Sequence, residues 1–157
     1  MALTQAIDQR APLATNRHAE RNGQMNKDRV KDVMTSLVVM VAPNEPTDQV
    51  AARLVRNRIS GAPVVKDGKV IGVISEIDIA RARTRAANLE GPPTATDVMS
   101  TPVVTIGSEA GLIRAAQLLD RYGIKRLPVV DEDGYLLGIV SRGDLVRSMA
   151  QGAREMV

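Results

Sequence analysis

Apolar residues come in short blocks along this chain, and the blocks recur. The run from Val38 to Val41 is continuous and brief, as a buried strand is, and the stretch from Pro43 to Pro46 breaks it. Thr47 stands as a candidate helix cap. After it Val50, Ala51, Leu54 and Val55 fall on one face at helical spacing, with Arg53, Arg56 and Arg58 outside. Two β-rich runs follow, Ala62 to Val65 and Val70 to Ile74, joined at an Asp-Gly pair that reads as a tight turn. A closing helix is predicted from Ser75. The same order returns downstream: Ser108 as candidate cap, Leu112, Ala115, Ala116 and Leu119 as the stripe, Leu127 to Val130 and Leu136 to Val140 as the hairpin, and a helix from Ser141. Short lead-in helices are predicted near Val30 to Met34 and Thr96 to Met99.

The recurrence is a true internal repeat. Asp32-Val33-Met34 matches Asp97-Val98-Met99, and Pro63-Val64-Val65 matches Pro128-Val129-Val130, each pair 65 positions apart. One extra residue in the second Asp-Gly turn moves the offset to 66, so that Gly72, Ser75, Asp78 and Arg81 fall on Gly138, Ser141, Asp144 and Arg147. A turn is where an insertion is tolerated best. The reading is of two α/β (α+β) motifs, each strand, helix, strand, strand, helix, packed as a pseudo-twofold pair around shared apolar faces. Residues 30–82 form the first motif, 83–94 a linker and 95–150 the second. Residues 1–29 form an N-terminal extension and 151–157 a tail.

Composition narrows the chemistry. With no Phe or Trp and only two Tyr in 157 residues, the interior must be built from aliphatic side chains, and a bound base would meet aliphatic walls. The formal charge is +3, yet 18 acidic residues interleave with 21 basic ones and no Lys/Arg block stands out, which disfavours nucleic acid as a partner. There is no Cys, so disulfides, thiolate metal sites and a cysteine nucleophile are all excluded. The longest apolar run, Leu37 to Ala42, is far short of the roughly 20 residues a membrane span needs. No apolar signal segment opens the chain, and a cytoplasmic location is the expectation. The extension mixes Arg10, Arg17 and Arg21 with Asp8 and Glu20 and carries the only histidine, His18, which is expected to be solvated. Its acidic residues count against a transit peptide. No H-E-x-x-H, P-loop or nucleophile-base pattern is present, so no catalysis, no cofactor and no metal are expected.

The repeated decapeptides, GVISEIDIAR from Gly72 and GIVSRGDLVR from Gly138, carry the candidate chemistry. A Ser at the end of a strand with an Asp three residues on is a helix-capping pattern. The same helix start offers amide groups and a positive dipole end to a phosphate, while a carboxylate beside it can accept both hydroxyls of a ribose. Capping and ligand binding remain open together at this point. The triplet Arg142-Gly143-Asp144 also spells an adhesion motif, which a predicted helix start in a chain without a secretion signal does not support.

DVMT and DVMS, ISGAPVV and IKRLPVV, and GVISEID and GIVSRGD, in that order and twice over, resemble the cystathionine-β-synthase (CBS) domain pair, or Bateman module, across roughly residues 30 to 150. The resemblance implies a disc of tandem motifs, commonly dimeric, binding adenine nucleotides or other adenosyl compounds in clefts between the motifs without transforming them. It implies one pocket with Ser141, Arg142, Gly143 and Asp144 facing Ile59, Ser60 and Gly61, with Thr35, Val39 and Lys125. It implies a second with Ser75, Ile77 and Asp78 facing Ile124, Lys125 and Arg126, with Ser100 and Val104. In each, the Asp takes the ribose and main-chain groups before the Pro read the base. The regulatory ligand is expected to be AMP, ADP, ATP or another adenosyl compound.

The two copies differ in charge. Arg142 and Lys125-Arg126 in the second stand where the first has Glu76 and Ser60-Gly61, which predicts that the Asp144 pocket takes longer phosphate chains and the Asp78 pocket a monophosphate or an uncharged adenosyl group. A stand-alone sensor that signals through an effector protein or a homodimer is the leading function class. A dimeric interaction or stress protein with empty pockets is the alternative.

Overall fold

The computed structural model describes residues 28–85 and 90–155; residues 1–27 of the extension, with His18, the middle of the linker and the last two residues lie outside the described residues. Asp67 and Gly68 both take positive φ, 51° and 79°, the backbone that a two-residue hairpin turn needs. They join β1 (Gly61–Lys66) to β2 (Lys69–Ser75), antiparallel in the register Gly61 with Ser75 and Pro63 with Val73. In β2, Val70, Gly72 and Ile74 are buried while Lys69 is exposed and Ile71, Val73 and Ser75 are only partly buried, the alternation of a strand packed on one face. In the second copy β4 (Arg126–Val130) and β5 (Leu136–Ser141) are neighbours in a three-stranded sheet with β3 (Ile106–Gly107).

The remaining elements are α1 (Val30–Val33), α2 (Thr47–Asn57), α3 (Glu76–Arg85), α4 (Ala95–Val98), α5 (Leu112–Arg121) and α6 (Arg142–Glu155). The chain divides into two compact units that do not follow the repeat boundaries. The first holds Val38 to Val103 with the turn residues Gly134 to Leu136. The second holds the described residues up to Leu37, then Val104 to Asp133, and Leu137 onward. Each unit thus contains the lead-in helix of the other repeat: α4 in the first, α1 in the second.

The core of the first unit is Val41, Val50, Leu54, Ala62, Val64, Ile74 and Ala95. The core of the second contains Ile106, Ala115, Leu119, Leu127, Val129, Val140 and Val30, the same positions one repeat away, and adds Leu112, Leu118 and Leu145. Both lie against their hairpin and central helix, as the apolar stripes predict.

Several expectations are corrected. The run Val38 to Val41 is not a strand: only Val41 bridges β1, in parallel at Val64, while Met40 is exposed. In the second copy the residue matching Val41, Ile106, opens the two-residue β3 and pairs in parallel with Val129. Neither Thr47 nor Ser108 caps its helix. The cap positions are Pro46 and Gly111, which make no side-chain bond; Thr47 is buried as the first residue of α2, one place past the cap. Val55 is 78% exposed and Ala51 only half-buried, so the stripe of α2 narrows to Val50 and Leu54.

Candidate functional site

In the first unit Ser75 ends β2 and caps α3. Its backbone N–H and its hydroxyl both donate to Asp78 Oδ2, at 2.9 and 2.8 Å, and the Asp78 N–H approaches Ser75 Oγ at 3.4 Å. The box is reciprocal, and it engages one carboxylate oxygen only. The other, Oδ1, accepts a 3.3 Å hydrogen bond from the hydroxyl of Ser100, brought alongside because Ser100 bridges Val73 of β2. The second unit repeats the box: Ser141 N–H and Oγ donate to Asp144 Oδ2 at 2.7 and 3.0 Å, and Asp144 N–H reaches Ser141 Oγ at 3.3 Å. Here Oδ1 pairs instead with Arg147 Nη2, and the Asp144 side chain is 8% exposed.

The helix starts are less open to a phosphate than the sequence predicts. The first amide of α3, that of Glu76, donates to the Ser60 carbonyl at 3.0 Å, and that of α6, Arg142, to the Lys125 carbonyl at 3.1 Å. With the third amide on the Ser hydroxyl, two of the first three are engaged in each copy. The Arg142 Nε donates to the Ile124 carbonyl at 3.0 Å. That bond ties the start of α6 to the start of β4.

Within the first unit the structure gathers Ser75, Ile77, Asp78 and Ser100 with Ser60 and Gly61 beside them, the last paired with Ser75 across the hairpin. Ile59 packs half-buried on that core, and Val39 is half-buried in the same unit. Within the second it gathers Ser141 to Asp144 with Ile124, Lys125 and Arg126, while Thr35 meets Ile139 of β5 by two 2.9 Å backbone bonds and Val104 packs on the core. The residue sets implied by the resemblance draw on both units. Beside Asp78 a cleft of about 580 Å³ runs between α3 and α4, lined among others by Arg81, Arg85, Asp97 and Met99.

Sequence reasoning kept the repeated Gly and Arg without giving them work. Gly72 and Gly138 admit the methionines of the lead-in helices, as a β-carbon on Gly138 would lie 2.7 Å from Met34 Sδ. The repeated DVM motif was the signal. Arg147 was legible only as a conserved letter between copies.

The two repeats match the CBS domain family model over residues 30–85 and 95–151. The chain belongs to the CBS-domain family. The CBS domain-containing protein YhcV of Bacillus subtilis is 38% identical over 116 residues, covering 74% of this chain and 81% of YhcV. Among solved CBS-pair structures, CBSX2 in complex with AMP is 31% identical with a TM-score of 0.71, covering 80% of this chain and 98% of that one. The CBS domain pair of MJ0100, in complex with 5′-methylthioadenosine and S-adenosyl-L-methionine, is 26% identical with a TM-score of 0.71, covering 81% and 98%. Tandem CBS motifs of mixed helix and strand are therefore the fold. Among the described residues no helix is long and apolar enough to cross a membrane, and no group of His, Cys, Asp and Glu could hold a metal ion.

Proposed function

We propose that this CBS-domain protein is a regulatory module that binds an adenine nucleotide, AMP, ADP or ATP, or a related adenosyl ligand, and passes the signal on without chemistry. The observation that carries the reading is the division of labour at Asp78. Oδ2 is held by its own helix cap, which fixes the carboxylate, and Oδ1 is left with a single long hydroxyl contact. A rigid acceptor with one oxygen to offer suits the hydroxyls of a ribose. CBSX2, which holds AMP, and the MJ0100 pair, which holds two adenosyl compounds, support that ligand class.

In this reading Asp78 and Asp144 take the ribose, Val39 and Val104 supply aliphatic walls, and main-chain groups at Ile59 to Gly61 and Ile124 to Arg126 read the base, with Thr35 and Lys125 at the margin. Ligand shifts the module between states only by its difference in affinity for them. The receiver is a second copy in a homodimer or a separate effector protein.

Titration calorimetry with AMP and ATP on the wild type, Asp78→Ala and Asp144→Ala tests it. Each substitution should remove binding at its own site. Ligand at 100 times its dissociation constant should add about 2.7 kcal/mol to folding stability. No heat and no melting shift with any adenosyl ligand would leave the interaction-protein alternative.

A further inference from the structure

One difference between the two copies bears directly on their carboxylates. In α6 the Arg147 side chain folds back along its own helix: Nη2 pairs with Asp144 Oδ1, and a β-carbon placed on Gly143 would lie 3.2 Å from Nη1 and 3.8 Å from Nη2. The guanidinium thus occupies the space a side chain at 143 would fill. The first copy has the same Asp and the same Arg, Asp78 and Arg81, but Ile77 at the matching place, 53% exposed. A β-branched side chain holds essentially one rotamer in a helix, and its branches stand where the guanidinium lies in α6. Arg81 makes no ion pair among the described residues and lines the cleft with Arg85 instead. Asp78 Oδ1 is left with the neutral Ser100 hydroxyl.

We propose that Arg147 is a specificity-determining latch at the Asp144 site, one that a phosphorylated ligand exchanges and a plain nucleoside does not. The inference rests on the reading of both Asp residues as ribose acceptors. To reach Oδ1 of Asp144, ribose hydroxyls must first displace a charged donor, so an ion pair has to open before they bind. A nucleoside returns only water to the released guanidinium. A phosphate chain returns an anion that matches its planar fork. Arg147 is 69% exposed, so its side chain is able to swing outward and follow that anion. At Asp78 no ion pair has to open, and a nucleoside binds there as it stands. The two sites therefore differ in ligand class: phosphorylated ligands at Asp144, with nucleosides admitted at Asp78.

Titration of adenosine and of ADP into the full chain tests the latch. Asp78→Asn isolates the Asp144 site and Asp144→Asn the other. In the Asp78→Asn chain, Arg147→Met should raise adenosine affinity about fivefold, the scale of an exposed ion pair, and lower ADP affinity by about as much. Gly143→Ile should raise adenosine affinity while keeping the Arg. In the Asp144→Asn chain, Arg81→Met should leave adenosine affinity within about twofold. Should the Asn variants fail to fold, Arg147→Met alone reports: the weaker of the two adenosine sites in the wild type should tighten about fivefold in the variant. Adenosine affinity unchanged or lowered by Arg147→Met, with both ligands still binding the wild type, overturns the latch alone. Failure of both ligands to bind the wild type overturns the ribose reading and the latch with it.

Discussion

The Met99 thioether rests where a β-carbon on Gly72 would have to stand, and Met34 bears the same relation to Gly138. The two contacts are not equally yielding. At Gly72 the three nearest atoms all belong to the Met99 side chain, which can change rotamer; at Gly138 the Thr35 carbonyl oxygen lies 2.8 Å away and belongs to backbone that bridges β5. Gly72→Ala should cost about 1 kcal/mol and Gly138→Ala about 3 kcal/mol, the range of overpacked cores. Urea unfolding of both variants checks the order as well as the sizes.

Glu45 is buried, and its carboxylate is held by Arg53 Nη2 at 2.5 Å while Arg53 Nη1 also donates to the Met40 carbonyl at 2.7 Å. Removing the guanidinium strands a buried carboxylate. Arg53→Met should destabilise the chain by about 3 kcal/mol, somewhat below the full cost of breaking a buried pair because Arg53 is partly exposed. Chemical denaturation will show whether Glu45→Gln in the Arg53→Met background restores part of the loss, as relief of a lone charge requires.

Asp97 sits in a capping box of its own, its Oδ2 accepting from the Thr94 N–H at 2.7 Å and the Thr94 hydroxyl at 2.9 Å. The backbone bond, then the hydroxyl bond, hold its carboxyl below the usual value. A folded-state pKa lower than the unfolded one gives stability that is present above about pH 4 and is lost as pH falls through the folded value. Asp97→Ala should therefore cost about 0.5 kcal/mol near pH 7, where the group is exposed and screened, and progressively less as the pH falls below about 4. Melting temperatures of the pair across that range test the sign.

Ser75 and Ser141 each serve as donor and acceptor in one box. Ser→Ala at either should cost about 1 kcal/mol, and Ser→Thr much less, because a threonine hydroxyl still caps. A melt of the four variants decides between a capping hydroxyl and a merely small side chain.

The elements whose signal is local were legible. Asp67-Gly68 announces its turn, and the stripes at Val50 and Leu54, and at Ala115 and Leu119, announce buried helix faces. What failed was decided by partners. An apolar run such as Val38 to Val41 reads as a strand wherever it lies, but only Val41 finds a neighbour to pair with. Thr47 has a capping side chain, yet it stands one place past the cap, as the first residue of α2. At the candidate site the Ser and Asp were legible from their spacing. The fate of Asp144 Oδ1 was not, for it turns on whether an Arg one turn away finds Gly143 or an isoleucine beneath it.

Val30 completes the apolar centre of the unit that otherwise comes from the second repeat, and Ala95 does the same for the first. Neither repeat is therefore self-sufficient. A chain severed between Arg85 and Glu90 would leave two fragments, each holding the piece the other lacks, and they should regain structure only when mixed.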